Sequence, residues 1–295
     1  MFVPSHIFHY LAPAKVNLSL KIGKKRPDGY HELASIVGFT EFGDSLAIKL
    51  SDTDHLALCG KFSANVDSKT SENLAMKAVK ILRDDNHDIP PLEITIDKQI
   101  PVGGGLGGGS SDAATIFLAL NEIFNLNLSK TNLENKALKI GADIPVCLNR
   151  EFVVMRGVGD KITGISNAGI PNYIVLANPS SIASTRKVFE EFDKNATEEN
   201  EEWLMGNQGL TQLLTGCNNL QESAIKIYPE IGLLLNTMKT LYPMDEKTGF
   251  SSIQMSGSGA SCFALFEDKK TADTFYRKIK QAGYWSVSTK FMSNF

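Results

Sequence analysis

Six of the seven residues from Gly103 to Gly109 are glycine, and this run constrains the chain more than any other feature. Glycine has no Cβ, so successive backbone N–H groups can converge on an anion in conformations that other residues avoid. Two serines, an aspartate and an apolar, helix-like run follow from Ser110. A glycine-rich turn that opens a helix forms an anion site from free N–H groups and the positive end of the helix dipole. The sequence therefore predicts that a polyphosphate is held between Gly103 and Ser111.

The segments around the glycine run predict a strand–loop–helix unit, which is the context that a phosphate loop needs. Residues 92–97 alternate apolar and polar side chains, as a half-buried strand does, and apolar residues at helix spacing follow over 111–124. Further along, Thr131-Asn132-Leu133-Glu134 matches a capping box and, with Gly141 as the stop, predicts a short helix over about 132–140. A later helix is predicted over 208–215.

Other glycine-rich motifs fit the run less well. A Walker A loop requires a lysine followed by serine or threonine, and the run contains no lysine. A dinucleotide fingerprint drawn through Gly103, Gly105 and Gly108 needs a strand ending in an acidic residue about 20 residues later, where the helix pattern is still running. A protein-kinase loop lacks its companion motifs in this chain. A flexible linker is disfavoured because an amphipathic helix follows directly.

Composition and charge narrow the class of partner. The chain has 295 residues, 42% of them hydrophobic and 21% charged, as in a soluble globular protein of about two domains. The formal net charge of −3 gives no reason to expect a nucleic acid or membrane partner. No signal peptide or membrane span is evident, and the four cysteines form no CxxC pair, which favours a reducing compartment. We therefore expect a cytoplasmic protein with small-molecule partners, as a monomer or weak homodimer.

Five motifs, in order, resemble those of the GHMP kinase superfamily. They are the glycine run, Pro-Ala-Lys-Val-Asn-Leu at 13–18, Asp-Gly-Tyr-His-Glu-Leu at 28–33, Gly-Ala-Asp-Ile-Pro-Val at 141–146 and Met-Ser-Gly-Ser-Gly-Ala-Ser at 255–261. The resemblance implies an α+β, two-domain GHMP kinase fold, with an N-terminal domain like domain 2 of ribosomal protein S5 and a ferredoxin-like C-terminal domain. Glycines and prolines over 157–171 predict the boundary, dividing an N-terminal domain at 1–165 with the phosphate loop from a C-terminal domain at 166–295.

The resemblance implies an ATP-dependent kinase that phosphorylates the 2-hydroxyl of a cytidine diphosphate-linked polyol in the non-mevalonate isoprenoid route. Mg²⁺ would accompany ATP, with Ser110 or Ser111 as the candidate protein ligand. A superfamily member with a mevalonate, homoserine or sugar acceptor is one alternative, and a non-catalytic nucleotide-sensing protein of the same fold is another. The implied ATP-binding residues are Pro101, Val102, Gly103, Gly104, Gly105, Leu106, Gly107, Gly108, Gly109, Ser110 and Ser111.

Lys15 and Asp143 are the catalytic residues that the resemblance implies. Lys15 lies on the polar face of a predicted strand, where an arbitrary lysine would be solvated; the superfamily places it beside the acceptor hydroxyl and the transferred phosphate. A positive charge there offsets the charge that develops in transfer. Asp143 precedes Pro145 and would also suit a helix N-cap. The resemblance implies instead that its carboxylate accepts or orients the proton of the attacking hydroxyl.

The resemblance also implies how the cytidylyl substrate is held. Tyr30 would stack on the cytosine and His31 would bond its edge, although half-buried packing for Tyr30 and a surface position for His31 also fit the residues. Phe189 would supply a second aromatic face or pack in a helix core. The turn at 256–259 fits a simple hairpin as well as a segment that closes over the phosphates. The other implied substrate-binding residues are Asn17, Ser256, Gly257, Ser258 and Gly259.

Overall fold

The chain forms two compact units, each assembled from separate stretches of sequence. The computed structural model describes residues 6–66, 73–85, 88–166, 169–195, 216–241 and 253–292. Unit 1 draws on Met1–Lys15, Phe42–Val102 and Gly107–Arg150, and unit 2 draws on Val16–Glu41, Gly103–Leu106 and Glu151–Phe295. The predicted helix over 208–215 lies outside the described residues, and the predicted boundary between residues 165 and 166 stays a prediction.

Unit 1 is built around strands whose apolar residues alternate in sequence. Strand β1 spans Phe8–Lys25 and β2 spans His31–Leu50, and both run from one unit into the other. β3 (His55–Cys59) pairs parallel with β4 (Leu92–Asp97). β4 pairs antiparallel with the C-terminal part of β2, and its alternating side chains are buried and half-buried in turn, as the sequence pattern predicts.

The described part of unit 1 also contains α-helices. They are α1 (Leu74–Asp84), α2 (Gly108–Ile123), α3 (Lys130–Leu138) and α4 (Ile144–Cys147). α2 begins within the glycine run, at Gly108, and buries most of its side chains. α3 begins earlier than predicted, because the side chain of Ser129 accepts a hydrogen bond from the N–H of Asn132 and caps the helix. The capping box predicted at Thr131 is therefore wrong.

The described strands of unit 2 form two groups. The N-terminal part of β2 pairs antiparallel with β5 (Val153–Gly157), which pairs with β6 (Lys161–Gly164). A separate antiparallel sheet has the order β10-β7-β9-β8. Its strands are β7 (Tyr173–Asn178), β8 (Ile253–Met255), β9 (Cys262–Phe266) and β10 (Trp285–Lys290). This order, with helices before β8 and before β10, is ferredoxin-like and agrees with the expected α+β fold.

The helices of unit 2 cover this sheet with a shared apolar core. They are α5 (Thr185–Asn195), α6 (Gln221–Ile227), α7 (Pro229–Leu241) and α8 (Lys269–Gln281). Ile231 and Leu234 of α7 and Phe275 of α8 are buried in one cluster with Val175 of β7 and Met255 of β8. Among the described residues, none of the helices combines the length and the apolar character that crossing a membrane takes.

Gly43 in β2 lies close to the backbone of β1. A Cβ at this position would lie 2.1 Å from the carbonyl oxygen of Ala12 and 2.8 Å from the Cα of Pro13. Because backbone atoms on both sides would have to move, we expect Gly43→Ala to destabilise the protein by roughly 1–3 kcal/mol, the usual cost of overpacking. The measurement is the urea midpoint.

The matched control for this prediction is Gly141→Ala. Its new Cβ would meet nothing nearer than Ile144 Cδ1 at 3.6 Å, an ordinary contact. We expect a change below about 0.5 kcal/mol there. Equal midpoints for the two variants would contradict the close approach at Gly43.

Candidate active site

Lys15 and Asp143, the two predicted catalytic residues, meet in unit 1. Lys15 Nζ lies 3.2 Å from Asp143 Oδ2. The lysine side chain is only 6% exposed, whereas that of Asp143 is 57% exposed. The solvated lysine that the strand pattern alone would favour is therefore wrong. The pair consists of a buried cation and a carboxylate that a solute can reach.

The environment keeps Lys15 charged. Burial is the largest single effect and would lower the pKa of Lys15, but the charge and hydrogen bond of Asp143, with a contribution from Cys147, together raise the pKa above its ordinary value. The nearby Cys147 thiol stays neutral, because burial raises its pKa to about 12. Its Sγ donates to the backbone carbonyl oxygen of Asp143 at 3.2 Å. Lys15 therefore presents a fixed positive charge over the neutral pH range.

Asp143 occupies the N-cap position of α4 without capping the helix through its side chain. Its side chain makes no capping hydrogen bond, and its carboxylate is directed to Lys15 instead. The residue thus stands where a helix begins, as the sequence suggested, but its oxygens remain available for chemistry. A carboxylate that can take up or orient a proton, beside a fixed cation, is suited to phosphoryl transfer to an alcohol.

The C-terminal part of the glycine run begins helix α2 against Lys15. Gly107 is the N-cap residue, with a left-handed backbone of φ +66°. A Cβ on Gly107 would lie 3.1 Å from Lys15 Cβ, so a larger residue would crowd the lysine. The N–H of Ser111 donates to the carbonyl oxygen of Gly107 at 2.8 Å and closes the first turn. The earlier N–H groups of that turn have no partner within the helix, as the predicted anion site requires.

The middle of the glycine run lies against the late glycine turn in unit 2. The Ser256 hydroxyl donates to the carbonyl oxygen of Gly105 at 3.0 Å. The N–H of Ser261 donates to the carbonyl oxygen of Gly104 at 2.9 Å. A Cβ on Gly105 would lie 2.2 Å from the carbonyl oxygen of Ser256. The turn therefore does more than join β8 to β9, because it fixes the backbone of the predicted phosphate loop.

Asn17 of β1 contacts the same turn. Its N–H donates to Ser256 Oγ at 3.1 Å, and its side-chain Nδ2 donates to Ser35 Oγ at 2.8 Å. Asn17 Oδ1 is buried and accepts no hydrogen bond from the described residues. A buried acceptor that stays unpaired costs free energy. The Asn17 amide oxygen is therefore suited to accept a hydrogen bond from a donor on a ligand.

Tyr30 and His31 differ sharply in exposure. Tyr30 is 60% exposed, so half-buried packing does not describe it. His31 is buried rather than at the surface; its Nε2 lies 2.7 Å from Asp193 Oδ1, and its ring centroid lies 5.1 Å from that of Phe189. Phe189 is partly buried against the core of unit 2 and its ring also contacts that of His31, whereas its role as an aromatic face for the substrate stays a prediction. An open aromatic ring beside an anchored imidazole is suited to a flat heterocycle.

Three contacts of these residues involve partners that the sequence analysis did not single out. Ser35 holds Asn17, Asp193 holds His31, and Thr185 Oγ1 lies 2.9 Å from Ser258 Oγ. Each partner is distant in sequence from the residue it holds. No local motif marks them, and only the fold brings them together.

Comparison with protein families identifies the class of protein. Residues 73–151 match the N-terminal domain of the GHMP kinases, and residues 188–284 match their C-terminal domain. With the fold and the glycine run described above, these matches define the chain as a GHMP kinase, which makes it an ATP-dependent phosphotransferase.

Individual relatives give the particular family. The chain is 34% identical to the 4-diphosphocytidyl-2-C-methyl-D-erythritol kinase of Sinorhizobium medicae, over 88% of this chain and 87% of that protein. It is 38% identical to the enzyme of the same name from Shewanella pealeana, over 91% and 88%. A crystal structure of 4-(cytidine 5'-diphospho)-2C-methyl-D-erythritol kinase matches with a TM-score of 0.76 and 27% identity, over 97% of this chain and 100% of that one. The chain belongs to the 4-diphosphocytidyl-2-C-methyl-D-erythritol kinase family.

The Lys15–Asp143 pair predicts a measurable pKa change. In Asp143→Asn, burial is no longer opposed by a carboxylate, so we expect the pKa of Lys15 to fall below its ordinary 10.5. Because the pKa of Lys15 is raised in the folded protein, the pair's stabilising contribution is present below the unfolded pKa. That contribution is lost as the pH rises through the folded value. The measurement is an NMR titration of labelled lysine.

Asp143→Glu is the control, because it keeps a carboxylate and should keep the pKa of Lys15 high. If the pKa of Lys15 is the same in the Asn and Glu variants, another group holds the charge.

Proposed function

We propose that this chain transfers the γ-phosphoryl group of ATP to the 2-hydroxyl of 4-diphosphocytidyl-2-C-methyl-D-erythritol in the non-mevalonate isoprenoid pathway. The observation that carries the proposal is the contact of buried Lys15 with accessible Asp143, next to the glycine at which helix α2 begins. Family membership supports the choice of acceptor. The proposed enzyme is cytoplasmic and acts on small molecules as a monomer or weak homodimer.

In the proposed reaction, Asp143 takes up or orients the proton of the attacking hydroxyl. A bond forms between that oxygen and the γ-phosphorus, the bond from the γ-phosphorus to the bridging oxygen breaks, and ADP leaves. The Lys15 charge stabilises the oxygens of the group in transfer, and the amides from Val102 to Ser111 hold the triphosphate. Positioning and electrostatics supply most of the acceleration in such reactions.

Mg²⁺ would accompany ATP and neutralise phosphate charge when bound. Among the residues that the structure describes, no group of three or more His, Cys, Asp or Glu side chains is arranged to hold a metal. Ser111 Oγ is buried and has no hydrogen-bond partner among them, and a hydroxyl oxygen is a ligand that Mg²⁺ accepts. The residues therefore fit an ion held chiefly by the triphosphate and by Ser111.

The cytidine end of the acceptor would be held by the residues around His31. Tyr30 would stack on the cytosine, with Phe189 as the second aromatic residue, and His31 would bond the edge of the base. The Asn17 amide and the turn at 256–259 would contact the rest of the substrate. The exposure of Tyr30 supports this role, because an aromatic ring that is mostly exposed can offer a face to a ligand.

The experiment that tests the proposal is a phosphoryl-transfer assay over a panel of acceptors with and without the cytidine moiety. We expect transfer to the cytidylyl polyol and little to mevalonate, homoserine or galactose. Asp143→Asn should reduce turnover by about 10²–10⁴-fold, the usual contribution of a positioned base, while ATP binding persists. Comparable rates on the other acceptors would favour another specificity, and a variant with full turnover would remove Asp143 from catalysis.

Tyr30→Ala tests the cytidine site. Because stacking on a base is worth about 1–3 kcal/mol, we expect the KM for the cytidylyl substrate to rise roughly 5- to 150-fold, with the KM for ATP nearly unchanged. Leu233→Ala removes a side chain of similar exposure, 63%, from helix α7 and should change neither constant. An equal rise of both KM values in Tyr30→Ala would make Tyr30 a packing residue.

A further inference from the structure

Lys98 is the second buried lysine of unit 1, and the proposed reaction does not use it. It follows β4 and precedes the glycine run, and its side chain is 4% exposed. Its ammonium group donates to Asp44 Oδ2, and to Asp112 Oδ2 at 2.5 Å. The Asp44 side chain is fully buried and that of Asp112 is 6% exposed. One cation and two carboxylates are thus enclosed together; we call them the Lys98 cluster.

The Lys98 cluster holds the chain where it enters the glycine run. Asp44 Oδ1 accepts from the backbone N–H of Gln99 at 2.6 Å and from that of Ile100 at 2.8 Å. Asp44 itself belongs to the long strand β2, which is anchored by its pairing with β4. The segment between β4 and the first glycine is therefore fixed to the sheet by a carboxylate oxygen that the N–H groups of Gln99 and Ile100 share.

The same cluster holds the chain where it leaves the glycine run. Asp112 lies in the second turn of α2, directly after Ser111. A Cβ on Gly108, the first residue of α2, would lie 3.2 Å from Ile100 Cγ2 and 3.4 Å from Asp44 Oδ2. The start of helix α2 is therefore held in two ways: Gly108 packs closely against Ile100 and Asp44, and Asp112 of the helix accepts a hydrogen bond from Lys98.

Stability is a poor explanation for such a cluster. Replacing buried ion pairs with apolar side chains is often neutral or stabilising. Glycines, by contrast, lose more backbone freedom on ordering than any other residue, and each ordered residue costs about 1–2 kcal/mol. If both ends of the glycine run are already fixed, less free energy is needed to order the run when the ligand binds.

We propose that Lys98, through Asp44 and Asp112, is a positioning residue that holds the two ends of the glycine run in the conformation that binds the phosphates of ATP. The inference rests on the proposed function, in which the run binds the triphosphate. None of the three side chains touches the nucleotide; they act through the backbone of Gln99, Ile100 and the first turns of α2. Changes in the Lys98 cluster should accordingly raise the KM for ATP and should not change the KM for the cytidylyl substrate.

The test compares the single variant Lys98→Met with the double variant Lys98→Met/Asp112→Asn. The single variant removes one positive charge, and the double variant also removes one negative charge. Both substitutions keep the approximate volume of the side chain. We expect the KM for ATP to rise by about tenfold or more in both, since a misplacement of ~1 Å can cost ~100-fold. The KM for the cytidylyl substrate should stay within about twofold. Thermal melting of each variant accompanies the kinetics, and direct ATP binding is measured by calorimetry.

Lys49→Met is the matched control. Lys49 Nζ forms an ion pair with Glu93 Oε1 at 3.0 Å, between the same two strands, but both side chains are more than a third exposed. It should change neither KM.

Melting and kinetics separate positioning from stability. The single variant leaves two carboxylates unpaired and should melt lower than the double variant. If the KM for ATP returns to the wild-type value as stability is regained in the double variant, the cluster is only structural and the inference fails. A wild-type chain that neither binds ATP nor transfers its phosphoryl group would instead overturn the proposed function.

Discussion

A buried lysine needs an anion at its ammonium group, because an isolated charge in the interior costs several kcal/mol. Unit 1 meets this requirement twice, with Lys15 beside Asp143 and with Lys98 between Asp44 and Asp112. Asp143 and Asp44 come from segments far away in sequence from the lysines that they neutralise, so the charges fix the tertiary arrangement around the start of helix α2. The two lysines differ in the exposure of their partners. Asp143 is open to solutes, and the partners of Lys98 are not.

Close backbone approach is the second constraint, and it explains why the glycines are needed. Gly105 lies where any Cβ would meet the backbone of Ser256, and Gly107 combines a left-handed conformation with contact to Lys15. Both positions have a left-handed backbone, with φ +72° at Gly105 and +66° at Gly107, and at both a Cβ would meet close neighbours, so each favours glycine for conformation and for space.

The sequence predicted the parts of the molecule that depend on local pattern. The alternation over 92–97 and the glycine run before α2 gave the strand–loop–helix unit, and the ordered motifs indicated the family and hence the α+β fold. The capping box at Thr131 failed, because Ser129 two residues earlier supplies an equally good cap and the pattern does not decide between them.

What the sequence could not predict depends on long-range pairing. Alternation placed Lys15 on a polar face, but nothing local showed that this face is covered and that Asp143 would neutralise the charge. The anchoring of His31 by Asp193 was invisible for the same reason, since the two residues lie on different elements of unit 2. Charge pairs and side-chain anchors are properties of the assembled fold, whereas periodicity reports only which face of one element is apolar.

The division between fixed and accessible groups is what makes the arrangement chemically useful. A cation that stabilises developing phosphate charge works best when it does not have to reorient during the reaction, and burial of Lys15 supplies that rigidity. A group that handles the substrate proton must instead reach a hydroxyl that arrives from solution, and Asp143 has the exposure to do so. The same contrast recurs at the proposed cytidine site, where His31 is buried and anchored while Tyr30 is exposed. In each pair the buried residue is suited to orientation and the exposed residue is suited to contact with a ligand.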